Sequence, residues 1–191
     1  MTAPRRLAAL LLATLLGACA GGVEVQYVIL SPAEHEAATG ASPVLAIGPV
    51  TVPDYLLRNE IVWRENAHRL HFLPGRRWAE PLDNGVQRIV GANLGARLGT
   101  ARVHAFPGTA VTDRGYRIAL AVRRFEAEED RVRAEIAWEL SAMASGKRVD
   151  SGTFVADSPL ARREAATIAA ALSGLLDRLA ARLAAAVDAA A

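Results

Sequence analysis

Cys19 carries the only thiol in this sequence, and His35, His68, His71 and His104 are the side chains that would join it in metal or nucleophilic chemistry. Their spacing argues against both. His68 and His71 lie three apart in a stretch read as strand, so they point to opposite faces and share no metal. His35 and His104 stand alone and are read as surface or packing residues. No Gly-x-Ser-x-Gly elbow occurs. Gly146-Lys147 hints at a phosphate-binding loop, but Ser141 stands where the first glycine belongs, and Arg148 replaces the hydroxyl residue that holds magnesium. The expectation is a protein that is not an enzyme, with no cofactor and no metal site.

Acylation is the remaining chemistry for Cys19. Ahead of it stand Arg5 and Arg6, then an apolar run from Leu7 to Leu16, closed by Gly17 and Ala18. That is the layout of a secretory signal. The run falls short of the roughly 20 residues that cross a bilayer. Leu16-Gly17-Ala18-Cys19 resembles the bacterial lipobox, which implies a diacylglycerol on the sulfur, cleavage before Cys19 and an acyl chain on the new amino terminus. Residues 1–18 are therefore expected to be a signal peptide, 19–24 the lipidated cysteine and a short tether, and 25–191 one domain. A lone cysteine in an exported chain otherwise tends to pair, and lipidation removes that difficulty. Each buried methylene contributes about 0.8 kcal/mol, so two or more chains anchor stably where one does not. Ala20-Gly21-Gly22 offers no aspartate after the cysteine; by resemblance to Gram-negative lipoproteins this implies the outer membrane, periplasmic face.

Loss of the signal also settles the charge. The chain has 22 basic and 20 acidic side chains and a pI near 9.1. Removing Arg5 and Arg6 leaves 20 of each. A nucleic-acid partner would call for a basic surplus, so none is expected.

The domain must be built from alternating strands and two helices. Residues 25–30 and 44–53 read as strands, with Gly48-Pro49 marking a bulge or an edge. Residues 60–66 and 68–73 form a hairpin about Asn66-Ala67. Leu82, Val86, Ile89, Val90, Leu94 and Leu98 share a helical face over 81–98, where Gly91 and Gly95 permit close packing on a sheet and Pro81 suits the first turn. Residues 101–107 form another strand. Tyr116, Ile118, Leu120 and Val122 alternate with arginines, as do Val132 to Ala142 with charged residues. Residues 126–130, "EAEED", read as the solvated turn between them. Residues 147–157 complete a meander, and 161–189 form a long alanine-rich helix with a leucine stripe. The fold class is α/β: a single domain with a mixed β-sheet packed with two main helices.

Gly48-Pro49-Val50, Pro53-Asp54-Tyr55-Leu56-Leu57-Arg58, Ile61-Val62 and Trp78-Ala79-Glu80-Pro81-Leu82 together resemble the ABC-type transport auxiliary lipoproteins, the family of paraquat-inducible protein C. The tyrosine of "QYVIL" (26–30) resembles the family's first strand. The resemblance implies a fold like the TolB amino-terminal domain and a partner role beside MCE (mammalian cell entry) proteins in lipid transport. It also implies a homo-oligomeric ring, which the small alanine face of the last helix would permit. Tyr55, Arg58, Trp78 and Glu80 are candidate interaction residues. The competing reading pairs Arg58 with Glu80 to lock the loop on the helix start, and buries Trp78 and Tyr55 in the core. An alternative function is activation of a cell-envelope enzyme such as a peptidoglycan synthase. The tether, Ala20 to about Val25, reaches no more than roughly 20 Å, which keeps the domain near its own membrane and favours the transport role.

Overall fold

The computed structural model describes residues 24–108 and 115–191; the signal segment and Cys19 lie outside them. In chain order the elements are β1 (Gln26–Val28), β2 (Leu45–Thr51), β3 (Glu60–Asn66), β4 (Arg69–Trp78), α1 (Leu82–Arg97), β5 (Val103–Ala105), β6 (Tyr116–Ala127), β7 (Arg131–Ala142), β8 (Arg148–Pro159) and α2 (Ala165–Ala190). A 3-10 turn, Asp54–Leu56, stands between β2 and β3.

All eight strands join one mixed sheet, and β6 is its axis. Along one side β7 runs antiparallel to β6 for its whole length, and β8 runs antiparallel to β7. The other side of β6 is shared. β2 pairs parallel with the Tyr116–Ala121 end, and β3 meets the far end through Trp63 and Ala127. β5 extends the sheet beyond β2, while β4 and then β1 extend it beyond β3. β1 and β8 are thus at opposite flanks.

The period-2 pattern of the meander does what alternation predicts. Ile118, Leu120 and Val122 of β6 and Val132, Ala134, Ile136, Trp138 and Leu140 of β7 are all buried, while their neighbours, apart from the buried Ser141, are half-exposed or exposed. α2 packs over β7 and β8, α1 over β2 and β5, and the helices pack on each other. Leu172, Leu175, Leu176, Leu179 and Leu183 of α2 are buried in that core. Each contributes up to about 3 kcal/mol by removal from water. Gly91 and Gly95 serve close packing, as their spacing predicts. A Cβ on Gly95 would lie 2.8 Å from Val103 Cγ2 and 2.9 Å from the Thr100 carbonyl oxygen.

Several boundaries differ from the sequence expectation. β4 runs on to Trp78, so that residue ends a strand and does not open the helix; Pro81 is the N-cap, and the helix begins at Leu82. His68 lies in the β3–β4 turn, where its amide is held by Asn66 Oδ1 at 2.9 Å. The long helix starts at Ala165, later than its periodicity suggests. The acidic run is not all turn. Glu126 and Ala127 continue β6, and Glu126 is buried. A register shift between Val122 and Arg124 causes this. It returns Phe125 and Ala127 to the core and sets Glu126 on the opposite face, across from Arg133.

Candidate functional site

The Gly-Pro-Val motif is a bulge with a clamp. Between Ile47 and Val50 the pairing of β2 with β6 shifts register. Gly48 sits there at φ +123, a conformation L side chains rarely adopt. Gln87, one turn into α1, donates from Nε2 to the carbonyls of Ile47 at 2.7 Å and Phe106 at 2.9 Å. One side chain thereby satisfies two backbone acceptors and ties helix, bulge and the segment after β5 together.

Tyr55 stands on the 3-10 turn, half-buried, and its hydroxyl donates to Glu126 Oε2 at 3.0 Å. Burial and the neighbouring Glu126 charge push the Tyr55 phenol up to about 12, so it remains a donor across the physiological range. Arg64 of β3 closes on the same carboxylate through Nε and, at 3.2 Å, through Nη2. Arg124 adds Nε at 3.0 Å and reaches Glu128 with Nη2 at 2.7 Å. The Glu126 side chain has no exposed surface, yet two guanidinium groups and a phenol satisfy it.

Arg58 and Glu80 do not pair. Arg58 is exposed and lies over the Phe72 ring, 4.4 Å from its centroid. Glu80 instead takes Arg88, whose Nη2 also donates to the Leu30 carbonyl at 2.9 Å. That contact joins the start of α1 to the end of the first strand segment. Trp78 is buried in the core. Of the four candidates, Tyr55, Trp78 and Glu80 hold the fold together. Arg58, beside the exposed Leu57, is what the motif presents to solvent.

His35 is not alone. Its Nε2 meets Asp177 Oδ1 at 3.0 Å, and Arg97 Nη2 donates to Asp177 Oδ2 at 2.6 Å. Three segments, the 31–43 loop, the end of α1 and the middle of α2, converge on one carboxylate. Burial alone would raise the Asp177 carboxyl, but the His35 and Arg97 hydrogen bonds outweigh it and hold the group below the ordinary range. A carboxyl depressed in the folded state stabilises above its unfolded value near ~3.9. That contribution disappears as pH falls through the lower folded value. Asp177→Asn should cost up to about 1 kcal/mol near neutrality. Urea titrations at pH 7 and pH 3 should show the difference from the parent protein shrinking at the lower pH. Among the described residues, no three His, Cys, Asp or Glu side chains are grouped to hold a metal.

Sequence reasoning missed Glu126 and Gln87. Nothing local marks Gln87. A signal for Glu126 did exist in the bulge-permitting Arg123-Arg124 pair, which breaks the alternation just before it.

A family model described as ABC-type transport auxiliary lipoprotein component matches residues 27–184. No curated protein is significantly similar in sequence. The solved structures that share the fold include two with TM-scores above 0.6. One, an uncharacterized protein, superposes with a TM-score of 0.71 at 19% identity, covering 85% of this chain and 97% of its own. The other, protein XCC0632 from Xanthomonas campestris, gives a TM-score of 0.68 at 19% identity, covering 88% of this chain and 95% of its own.

Proposed function

This chain belongs to the ABC-type transport auxiliary lipoprotein component family, and from that premise we propose that it is a non-catalytic subunit of a transport system moving lipids or other apolar molecules. It is held to the outer membrane by diacylglycerol and N-acyl chains on Cys19, faces the periplasm, and docks a periplasmic MCE-domain protein. The observation that carries this reading is the family match, which spans all but the edges of the domain. The lipobox-like Leu16-Gly17-Ala18-Cys19 supports the anchor. The tether supports work close to the membrane, since an activator that reaches through the cell wall needs a long arm.

Leu57 and Arg58 are the docking residues in this proposal. The Tyr55–Glu126 contact and the Trp78 anchor fix the turn from below, so the exposed pair is presented with little freedom left to lose. Arginine and exposed leucine side by side suit an interface core, and arginine is enriched among hot spots. The test is affinity capture of the MCE-domain protein by the mature lipoprotein, purified from cells fed radiolabelled palmitate. Label should be present and disappear in Cys19→Ser. Leu57→Ser/Arg58→Ala should weaken capture at least roughly tenfold while loss of the Arg58–Phe72 contact lowers the thermal midpoint by no more than about 4 °C. Undiminished capture by a folded double variant removes this face from the contact, and no capture by the parent chain removes the MCE partnership.

A further inference from the structure

Among the described residues, six large apolar side chains are exposed, and three of them fall within one five-residue stretch: Val25, Tyr27 and Ile29 at 42%, 63% and 49%. They alternate along β1 and the residue that flanks it at each end, and so share one face. The stretch is also the part of the domain nearest the lipobox cysteine. Only Ala20 to Val23 separate Cys19 from Glu24, where the described chain begins. At no more than about 3.6 Å per residue, an acylated Cys19 would hold Val25 within roughly 20 Å of the bilayer.

We propose that Val25, Tyr27 and Ile29 form a second, non-covalent membrane contact that seats this edge of the sheet in the headgroup region. The proposal rests on the lipid anchor proposed above and deepens it. Three features on the molecule fit a lipid surface. The aliphatic pair flanks a tyrosine, whose apolar ring and polar hydroxyl suit the boundary between hydrocarbon and water. Arg77 of β4 is in register with Tyr27 and shares its face, where it also reaches Glu60 at 3.6 Å; Arg76, in register with Gln26, bends to the same strand edge and holds the Glu24 carbonyl with Nη1 at 3.4 Å. Cations beside the patch complement anionic headgroups. Beneath it, Tyr27 and Ile29 border a groove of about 520 Å³ whose far wall is Ala166, Ala170 and Gly174 of α2. No charged side chain lines that groove. The tether supplies proximity, so the patch needs only weak affinity of its own to stay engaged. One consequence is orientation: a domain held at a lipid and at this edge presents β8 away from the membrane, since β8 is five strands distant, or roughly 24 Å.

The test is depth-dependent fluorescence quenching on the mature lipoprotein, reconstituted into vesicles of phosphatidylethanolamine and phosphatidylglycerol with or without brominated acyl chains. Tyr27→Trp and Ile29→Trp are separate probes, so a folding failure in one leaves the other. Val155→Trp, exposed on β8, is the control. The unsubstituted protein, with its three tryptophans, sets the baseline. The added emission at positions 27 and 29 should fall at least roughly twofold in brominated vesicles, with none of that loss at position 155. Mass spectrometry of each sample reports the lipid on Cys19. A lipidated protein with no quenching at positions 27 and 29, or with equal quenching at 155, overturns the second contact and leaves the anchor standing. A mature chain without lipid overturns both. Unquenched probes with a cross-linked dimer overturn the proposal by assigning the face to a second copy of this chain.

Discussion

Glu126→Ala is expected to cost the fold about 3–5 kcal/mol, the range for removing one partner of a buried ion pair. The reason is what stays behind. Arg64 would keep its guanidinium against the sheet with no anion, and the Tyr55 hydroxyl would be left with the longer contact to the Arg123 carbonyl, at 3.4 Å. Arg124 would retain Glu128 and suffer least. For a domain of this size the loss corresponds to a thermal midpoint lower by roughly 10 °C. Glu129→Ala is the matched control: Glu129 is exposed and its contact with Arg163 is long, at 4.0 Å, so the change should stay within about 0.5 kcal/mol. A further variant separates the worth of the charges from the cost of orphaning them. Glu126→Leu/Arg64→Met should recover much of the stability lost by Glu126→Ala, because the guanidinium is removed together with its anion, while Arg124 keeps Glu128 and the Tyr55 hydroxyl keeps the Arg123 carbonyl at 3.4 Å. If Glu126→Ala melts with the parent protein, the carboxylate is not buried as described, and Tyr55 must be held by other contacts.

That cluster also shows where a sequence can be read and where it cannot. The meander strands were legible because apolar and charged residues alternate for long stretches, and burial follows the alternation from Ile118 to Val122. α1 and α2 were legible from their apolar stripes, and Gly91 and Gly95 announced a close helix–sheet approach. Glu126 went unread because an acidic run looks solvated whatever the strand beneath it does, and the one signal, the Arg123-Arg124 break in the alternation, marks a bulge without saying which face the next side chains take. One extra residue in β6 decides the matter by moving the following side chains to the other face. The same limit explains Arg58 and Glu80. Opposite charges flanking a motif suggest a pair, but Glu80 finds Arg88 one helical reach away, while Arg58 lies on Phe72 of β4. The Trp78 and Tyr55 reading was open between interface and core. In the fold Trp78 lies in the core, and Tyr55, half-buried, shares the Glu126 carboxylate with Arg64 and Arg124.

Gly48→Ala carries the other large effect, through geometry with no charge involved. The methyl would stand 2.3 Å from the Phe106 carbonyl oxygen and 2.7 Å from Gln87 Nε2, on a backbone already at φ +123. Positive φ alone costs on the order of 1–3 kcal/mol for a non-glycine residue. The carbonyl contact adds to it, since main chain cannot rotate aside as a side-chain tip does. A destabilisation of about 3–5 kcal/mol is expected, measured by urea unfolding with an unchanged slope. Gly174→Ala gives the opposite sign. It sits inside α2 with nothing within 4 Å of the added carbon, so the exchange should stabilise by up to about 1 kcal/mol. Gln87→Ala identifies which obstacle dominates. Truncating that side chain removes the 2.7 Å contact but leaves the carbonyls of Ile47 and Phe106 without their shared donor. Gly48→Ala in that background should therefore remain strongly destabilised relative to Gln87→Ala alone. Full rescue would mean that the glycine serves only to admit the glutamine, and that the Phe106 carbonyl has room to withdraw.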